Sequence, residues 1–261
     1  VYNEWVITHR CLWSILQYTP GEYEVIIADD CSTDETANIG DYVTGVTVVR
    51  QKENQRFLKN CNRAAEKARG EFLLLLNNDT TATEGWLAPL LKLFENSDVG
   101  IVGPKLLFPN GKLQEAGGII WDDASGWNYG RADDPSRPQY NYVRETDYVS
   151  GAALMIRRSL WQQLGGFDEA FVPAYYEDTD LCFSARAASF KVVYQPASTV
   201  VHYEGMTNGT DLGGGQKQYQ VVNQQRFLEK WQNELARFHY PNAEQVPRAR
   251  DRSRDKRSGL N

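Results

Sequence analysis

An unbroken apolar run of strand length, Phe72 to Leu76, ends in the polar residues Asn77, Asn78 and Asp79. Such a run is typical of a strand that is buried on both faces, as in a parallel sheet. Ligands of open α/β sheets bind just beyond the carboxyl ends of the strands, where these three residues would lie. A carboxylate at that position is suited to a divalent cation that bridges phosphates. Taken alone, the pattern fits a strand followed by an Asn/Asp turn equally well.

Short apolar runs alternate with amphipathic patterns through roughly the first hundred residues. The predicted strands cover residues 23–28, 46–50, 71–76 and 99–102, and the predicted helices cover residues 8–18, 34–42, 58–68 and 87–94. Residues 1–4 are predicted to be the end of a strand and the loop after it. Strands that alternate with helices predict a parallel, doubly wound sheet for this part of the chain.

The pattern changes in the second half of the chain. Pro109, Asn110 and Gly111 form a strong hairpin-turn signal, and residues 121–147 form a long polar and aromatic segment. Further strands are predicted at 148–156, 191–194 and 199–202, and helices at 159–164, 177–188 and 216–237. Long loops in compact domains are usually functional or mobile, so we expect mobility in residues 121–147 and in the glycine-rich residues 205–215.

Composition narrows the class of protein. Hydrophobic residues make up 41% and aromatic residues 12% of the 261 positions, which is typical of a globular protein. No apolar run is long enough to span a bilayer. The four cysteines are far apart and form no Cys-x-x-Cys pair, which favours free thiols in a reducing compartment.

Charge is distributed unevenly along the chain. The net charge is −6, yet residues 248–261 contain six basic and two acidic residues, so the rest of the chain carries −10. A body that acidic is a poor candidate for nucleic-acid binding. Two interpretations of the basic end stay open: a solvated linker, which its shortness and its aspartates favour, and a contact with anionic lipid.

Four clusters of polar residues fall at predicted strand ends or in the loops beside them. They are Tyr2 with Asn3, residues 28–34, residues 77–79, and residues 175–180 with His202 downstream. Any one of them could be ordinary structure, since Ser32 and Asp34 are typical helix N-caps and acids are favoured in the first turn of a helix. Their common position at one presumptive edge of the sheet favours a functional site.

In their order along the chain these motifs resemble glycosyltransferase family 2, a group of inverting enzymes with the nucleotide-binding GT-A fold. The matching strings, all within residues 1–208, are VYNE, VIIADDCSTDET, NQRFLKNCNRA, LLLLNNDT, SGAALMIRR, LGGFDE, YYEDTDLCFSAR and VVHYEG. The resemblance implies an α/β fold with a mostly parallel central sheet flanked by helices and a smaller acceptor-side hairpin and helix region. Residues 1–103 would bind the nucleotide-sugar, residues 104–240 would bind the acceptor and carry catalysis, and residues 241–261 would be a basic tail or linker. One departure is Arg56, where relatives usually carry glycine, so we expect the local backbone or a phosphate contact to differ there.

The resemblance also implies a donor site with a divalent cation, Mn2+ or Mg2+. Asp79 and His202 would bind the metal, and Asn77 stands where the family's Asp-any-Asp motif commonly has its first acid. Imidazole suits Mn2+ better than Mg2+, which prefers oxygen ligands. A lone histidine is more often structural, so the metal-binding role of His202 depends on the resemblance. The residues implied to contact the nucleotide are Tyr2, Asn3, Asp30, Ser32 and Asn78.

Displacement with inversion needs a carboxylate beside the attacking hydroxyl to take its proton. The resemblance favours Asp178 as this general base, with Glu177 and Asp180 as close rivals. On a helix, positions 177 and 180 share a face while 178 points elsewhere. The residues expected to contact the acceptor are Gly151, Trp161 and Tyr176, although aromatic residues are just as often part of a core.

The sequence therefore predicts a metal-dependent inverting hexosyl- or deoxyhexosyltransferase that uses a UDP- or dTDP-sugar and a saccharide or lipid-linked saccharide acceptor. The latter half is most similar to bacterial rhamnosyltransferase-like enzymes of surface polysaccharide synthesis, which implies a place in the cytoplasm or at the inner face of its membrane. Residues 205–215 would close over the donor diphosphate as a lid. Peripheral membrane association and further domains of a longer chain stay open. The alternative is a noncatalytic nucleotide- or carbohydrate-binding module of a larger glycosyltransferase, which Asn77 and the basic end motivate.

Overall fold

The computed structural model describes residues 1–204 and 218–254, in which strands and helices alternate through the first hundred residues. The strands are β1 (Val25–Asp29), β2 (Val46–Arg50), β3 (Phe72–Leu76), β4 (Thr80–Ala82), β5 (Val99–Leu107), β6 (Leu113–Glu115), β7 (Gly118–Ile120), β8 (Gly126–Asn128), β9 (Arg144–Glu145), β10 (Ala153–Arg157) and β11 (Lys191–His202). The helices are α1 (Trp5–Tyr18), α2 (Ile39–Tyr42), α3 (Arg56–Ala65), α4 (Leu87–Leu93), α5 (Arg158–Leu164), α6 (Glu177–Ala187), α7 (Gln218–Phe238) and α8 (Val246–Ala249).

A seven-stranded sheet lies at the centre, in the order β3-β10-β5-β11-β4, with β6 beside β5 and β9 beside β11. β5 and β11 pair in parallel. β10 runs antiparallel to both β3 and β5, and β4 runs antiparallel to β11. β1 and β2 form a separate parallel pair, and β7 and β8 form an antiparallel pair.

The predicted α/β class is confirmed, with one difference in how the strands pair. β1 and β2 are parallel, as predicted, and β3 and β5 point the same way because each is antiparallel to β10. β3 and β5 are not neighbours, however, since β10 from the second half of the chain lies between them. The central sheet is therefore mixed rather than mostly parallel. The order of elements along the chain cannot reveal such an insertion, because an apolar strand pairs in either direction.

Packing on both faces of β10 explains why this insertion is stable. Leu154 and Ile156 face a cluster built with α5, α6 and α7, whereas Ala153 and Met155 face a cluster built with α4. This alternation is the period of two expected of a strand. All four side chains are at most 4% exposed, and burial of each large one contributes about 1.5–3 kcal/mol.

Several predicted boundaries differ from those of the structure; the strand predicted for residues 99–102, for example, extends to Leu107. α1 begins at Trp5 rather than at residue 8, and the strand predicted for residues 148–156 begins only at Ala153. The two short strands predicted for 191–194 and 199–202 form one strand, β11, with a pairing irregularity between Gln195 and Thr199. The predicted turn between β5 and β6 is present, and its Gly111 has a φ of +79° that suits glycine.

Residues 121–147, expected to be mobile, are hydrogen bonded to the hairpin region in this structure. The amide of Ala116 donates to the carbonyl of Tyr129 at 2.9 Å, and the amide of Ala132 donates to the carbonyl of Leu113 at 2.8 Å. Arg144 is only 2% exposed. Backbone hydrogen bonds to β6 and to Ala116 hold this segment in place. The polar composition of the segment does not reveal these bonds.

The C-terminal residues up to 254 pack on the same region, which differs from the expectation of a solvated tail. Arg250 donates to the hydroxyl of Tyr129 at 3.0 Å, and Nε of Arg144 donates to the carbonyl of Arg250 at 3.0 Å. Ala249 and Asp251 are buried. The predicted lid, residues 205–215, and the end of the basic segment, residues 255–261, lie outside the described residues.

Two predictions from composition can be compared with the described parts of the chain. No helix within residues 1–204 or 218–254 is both long enough and apolar enough to cross a membrane. The four cysteines are free thiols, as expected. Cys11 and Cys182 are buried, whereas Cys31 and Cys61 are partly exposed.

Candidate active site

Asp79 and His202 lie side by side because of the pairing between β4 and β11. His202, the last residue of β11, pairs with Thr80, the first residue of β4. The amide of Tyr203 then donates to the carbonyl of Asp79 at 2.9 Å. As a result, Nε2 of His202 lies 3.2 Å from Oδ1 of Asp79, and the two side chains are only 11% and 7% exposed. The structure thus brings together the two residues predicted to bind a metal.

A chain of polar side chains lies behind His202. Its Nδ1 lies 3.1 Å from Oε1 of Gln114 in β6, and Nε2 of Gln114 donates to Oε2 of Glu204 at 3.1 Å. Arg131 donates to the same carboxylate oxygen at 2.7 Å. Burial opposes ionisation of Glu204, but the hydrogen bonds from Arg131 and Gln114 hold its pKa below the ordinary value.

The two asparagines before Asp79 stabilise the loop between β3 and β4. The side-chain amide of Asn78 donates to Oγ1 of Thr8 in α1 at 2.9 Å. The carbonyl of Asn77 accepts from Oγ1 of Thr80 at 2.7 Å. Asn78, predicted to contact the nucleotide, therefore also ties this loop to α1.

The predicted nucleotide residues after β1 hold one another in place. Oγ of Ser32 accepts from the amide of Asn3 at 2.8 Å, and Oδ1 of Asn3 accepts from the amide of Thr33 at 2.7 Å. Ser32 is fully buried. Asn3 and Ser32 thus shape the loop, and Tyr2, which is 38% exposed, retains an open face.

The carboxylate of Asp30 accepts hydrogen bonds from the backbone at the start of α3. Its Oδ1 accepts from the amide of Gln55 at 2.6 Å and its Oδ2 from the amide of Arg56 at 2.9 Å. Burial raises the pKa of Asp30, although these two donors oppose the rise. Arg56 has a φ of +65°, in the left-handed region that favours glycine. Arg56 thus adopts a backbone conformation that suits glycine, the residue that relatives usually carry at this position.

Two of the three acids at the start of α6 have surroundings that disfavour a role as base. Asp180 forms a salt bridge with Lys230 at 2.8 Å and accepts from Nε1 of Trp231 at 2.8 Å. Glu177 is 7% exposed, and its Oε2 has no hydrogen-bond partner within residues 1–204 and 218–254. Position 180 thus faces α7.

Asp178 differs from both because it remains partly accessible while its carboxylate is held by neutral donors. Oδ2 accepts from the amide of Gly151 at 2.8 Å, and Oδ1 accepts from the amide of Thr179 at 2.7 Å. Burial raises the pKa of Asp178, although these hydrogen bonds oppose the rise. Burial and the charge of Asp178 likewise raise the pKa of Glu177. A carboxylate with a raised pKa is a stronger base near neutral pH.

The predicted acceptor residues lie in two kinds of place. Gly151 lies against the Asp178 side chain, and a Cβ on Gly151 would be 3.4 Å from the Cβ of Asp178. Trp161 is 6% exposed and packs edge-on against Phe167 at 5.1 Å. Tyr176 is 8% exposed, and its hydroxyl donates to the carbonyl of Ala124. The rings of Trp161 and Tyr176 are therefore part of the core in this structure, contrary to the expected stacking on sugar.

The family model described as Glycosyl transferase family 2 matches residues 1–164, more than half of the chain. The chain belongs to glycosyltransferase family 2. A bacterial relative, O-antigen biosynthesis protein RfbC of Myxococcus xanthus, is 33% identical over 158 residues. That alignment covers 58% of this chain but only 12% of RfbC.

Solved structures of glycosyltransferases share the fold of this family 2 chain. GalNAc-T7 with UDP, GalNAc and Mn2+ aligns with a TM-score of 0.72 and 19% identity over 94% of this chain and 50% of that chain. Mannosyltransferase PcManGT from Pyrobaculum calidifontis, in complex with GDP-Man and Mn2+, aligns with a TM-score of 0.57 and 18% identity over 78% of this chain and 55% of that chain. The central mixed sheet and its helices thus form a GT-A fold. The chain spans about half the length of these two proteins.

The side chains of Asp79 and His202 fit a divalent cation in this family 2 chain. With Nδ1 of His202 facing the Gln114 oxygen, Nε2 can present its lone pair beside Oδ1 of Asp79. Two ligand atoms at right angles, each about 2.1 Å from one cation, would lie about 3.0 Å apart. Among the described residues no group of three His, Cys, Asp or Glu side chains could hold a metal. The described part of the chain would thus supply Asp79 and His202, and phosphate and water would add further ligands, as is common for oxygen-preferring cations.

The sequence-based prediction does not include Gln114, Glu115 or Arg131. Gln114 and Glu115 are each 2% exposed, although β6 follows an exposed turn. Oε1 of Glu115 accepts from the amide of Ser150 at 3.1 Å, one residue before the Gly151 amide that holds Asp178. A signal does exist: two adjacent polar residues stand between apolar Leu113 and Ala116, just after the predicted hairpin turn.

Proposed function

We propose that this chain is a metal-dependent inverting glycosyltransferase that moves a hexosyl or deoxyhexosyl group from a UDP- or dTDP-sugar to a saccharide acceptor. Asp178 acts as the general base. Asp79 and His202 would hold Mn2+ or Mg2+, and Tyr2, Asn3 and Asp30 line the nucleotide site. The family supports sugar transfer, while the donor, the stereochemistry and the roles of individual residues belong to this proposal.

The environment of Asp178 is the observation that carries the proposal. It is the one acid of its cluster that is partly accessible and has no cationic partner among the residues that the structure describes, whereas Asp180 is neutralised by Lys230. In the transfer, the acceptor oxygen forms its bond to the anomeric carbon while the bond from that carbon to the diphosphate breaks. Asp178 takes the hydroxyl proton. The amides of Gly151 and Thr179 fix the direction of the carboxylate during this step.

A divalent cation, when bound, supplies positive charge to the departing diphosphate. Asp79 and His202 are nearly sealed from solvent, which favours strong electrostatic interactions at this position. The loop between β3 and β4, which carries Asp79, is joined to α1 by the hydrogen bond from Asn78 to Thr8. The protein's contribution is thus to orient ligands before the donor arrives.

The acceptor is proposed to be a saccharide or lipid-linked saccharide of bacterial surface polysaccharide synthesis. The transfer would take place in the cytoplasm or at the inner face of the cytoplasmic membrane. The similarity to an O-antigen biosynthesis protein supports this assignment. Among the aromatic residues, Trp127 is 39% exposed, and we propose that its ring stacks on a sugar of the acceptor.

Calorimetric titration of UDP and dTDP, with Mn2+ and then with EDTA, tests the donor site. We expect binding that requires metal, because Asp79 and His202 contact the nucleotide only through the cation. Absence of binding by either nucleotide, in protein shown to be folded by circular dichroism, would contradict the proposal. That result would favour a noncatalytic module, an alternative that Asn77 in place of an acid supports.

The variant Asp178→Asn tests the base. We expect donor turnover to fall by about 10²–10⁴-fold, the usual contribution of a general base, while metal-dependent UDP or dTDP binding is retained. Asp168→Asn is the matched control, since Asp168 lies at the surface in a pair with Lys230. Equal turnover in Asp178→Asn and the control would remove Asp178 from the mechanism.

A further inference from the structure

Four side chains form a continuous path from the surface to the proposed metal site. Arg131, whose side chain is 42% exposed, donates to Oε2 of Glu204 at 2.7 Å. Gln114 donates to the same oxygen at 3.1 Å through Nε2. Its Oε1 faces Nδ1 of His202 at 3.1 Å. We refer to Arg131, Glu204, Gln114 and His202 as the relay.

The chemistry of the relay determines which nitrogen of His202 carries a proton. Glu204 lies between two donors, so its carboxylate accepts from both and the amide NH2 of Gln114 must point toward it. The amide oxygen of Gln114 then points toward His202 and can only accept. Nδ1 therefore carries hydrogen in this arrangement. When the imidazole is neutral its lone pair is then on Nε2, beside a carboxylate that competes for the proton. That nitrogen is the one that lies 3.2 Å from Asp79.

The backbone around Gln114 keeps the relay in place. β6 pairs with β5 through Leu106 opposite Glu115 and Leu107 opposite Leu113, so Gln114 is an extra residue at a bulge. Bulges next to active sites commonly redirect a side chain. On the other side of β6, the amide of Ala132 donates to the carbonyl of Leu113, which places Arg131 on a neighbouring backbone segment.

We propose that Gln114 is a positioning residue of the donor site, which holds His202 in the tautomer that directs the Nε2 lone pair toward Asp79, and that Glu204 and Arg131 lock the Gln114 amide in the required orientation. The metal-binding part of this inference rests on the proposed function. The tautomer does not, since it is a property of the protein without metal. Partners of metal-bound histidines typically contribute 10–100-fold to metal affinity.

Nitrogen NMR of metal-free protein with 15N-labelled histidine tests the tautomer directly. The chain has only three histidines, and the His202 signals can be assigned from their loss in His202→Asn. For the neutral imidazole, recognised by its nitrogen chemical shifts at alkaline pH, we expect the one-bond proton coupling of His202 on Nδ1. In Gln114→Leu we expect it to move to Nε2, which can then donate to Asp79. A proton on Nε2 in the unsubstituted protein would overturn the proposal.

Mn2+ affinity, measured from the electron paramagnetic resonance signal of free Mn2+, tests the consequence. We expect Gln114→Leu to weaken binding about 10–100-fold. The double variant Gln114→Glu with Glu204→Gln should restore much of the loss, because the new carboxylate accepts from His202 and the new amide accepts from Arg131 and donates to position 114. Affinity within about twofold of the unsubstituted protein in folded Gln114→Leu would contradict the relay.

A substitution at buried Gln114 can prevent folding, so variants at the surface end of the relay provide a second test. Arg131→Met removes one donor from Glu204, and we expect a smaller loss of Mn2+ affinity than in Gln114→Leu. Arg137→Met is the control, since Arg137 is exposed and pairs with Asp133. Equal effects of the two surface variants would oppose the relay. A proton on Nδ1 combined with no Mn2+ binding would reject the metal site of the proposed function and leave the tautomer assignment standing.

Discussion

Glu115 shows how burial alone can change the chemistry of a residue. It lies in β6 beneath the proposed base and is 2% exposed. Burial, and secondarily the charge of Asp178, raises the pKa of Glu115 from 4.5 to about 8. The amide of Ser150 gives it one hydrogen bond. At neutral pH this side chain therefore favours its neutral form, and it limits the negative charge around Asp178.

Stability should depend on pH through Glu115. Because its folded pKa is above its ordinary value, the folded state binds the proton more tightly, and this stabilisation is lost as pH rises through about 8. We expect Glu115→Gln to raise the free energy of unfolding by roughly 2–4 kcal/mol at about pH 9 and by less than about 1 kcal/mol at about pH 5. Urea unfolding at both pH values measures this. Glu244→Gln, at an exposed position, is the control, and a gain for Glu115→Gln that is equal at both pH values would contradict the assignment.

Close packing between elements explains a glycine that turn chemistry does not require. Gly118 in β7 pairs with Asn128 in β8, and its amide donates to the carbonyl of Tyr148. A Cβ on Gly118 would lie 1.9 Å from the Tyr148 ring. The ring hydroxyl in turn donates to Asn128 at 2.8 Å. The small residue lets an aromatic ring cross the strand and fasten the β7–β8 hairpin.

Gly118→Ala should therefore be strongly destabilising. We expect a loss of about 3 kcal/mol in the free energy of unfolding, because the ring and the strand cannot both keep their places. Gly126→Ala in the partner strand is the matched control, since its Cβ would lie 3.3 Å from the end of the Ile120 side chain and 3.8 Å from the Tyr148 hydroxyl, distances that need little or no rearrangement. Thermal and urea unfolding measure both variants. Similar stability losses in the two would show that the Tyr148 contact is unimportant.

At the scale of the whole molecule, the C-terminal residues connect parts that are far apart in sequence. Arg252 donates to Oδ1 of buried Asp147 at 2.6 Å, and Asp147 also accepts from the amide of Ile120. Burial alone would raise the pKa of Asp147, but His239, Arg252 and Arg186 hold it below its usual range. The last described residues thus compensate a buried charge at the end of the 121–147 segment.

Removal of Arg252 should destabilise the whole chain. In Arg252→Ala, Asp147 would keep His239 and Arg186 as neighbours but lose its closest cation, so we expect a loss of about 2–3 kcal/mol. Arg248→Ala, at an exposed position of the same segment, should change stability by less than about 0.5 kcal/mol. Urea unfolding of both variants at neutral pH measures the difference. Equal stability of the two would mean that the C-terminal segment is not coupled to Asp147.

Local pattern determined much of this protein. Period and turn chemistry predicted β1, β2, β3 and β5, the turn at Gly111 and the helices α1 to α6, although not β4, because these signals depend on neighbouring residues. The order of motifs indicated family 2, and the family is confirmed. Asp79 and His202, predicted through that resemblance, lie next to each other. Their metal-binding role remains a prediction.

Tertiary structure decided the rest because each case depends on contacts between segments distant in the chain. β10 lies between β3 and β5, which no local period encodes. Trp161 and Tyr176 are buried because α5, α6 and α7 pack together, and an aromatic residue looks the same in sequence whether it binds sugar or fills a core. Gln114 reaches His202, 88 residues away, through a bulge and a strand register. Sequence determines where a strand ends and which chemical groups stand there, but burial and pairing across the fold decide which of those groups meet.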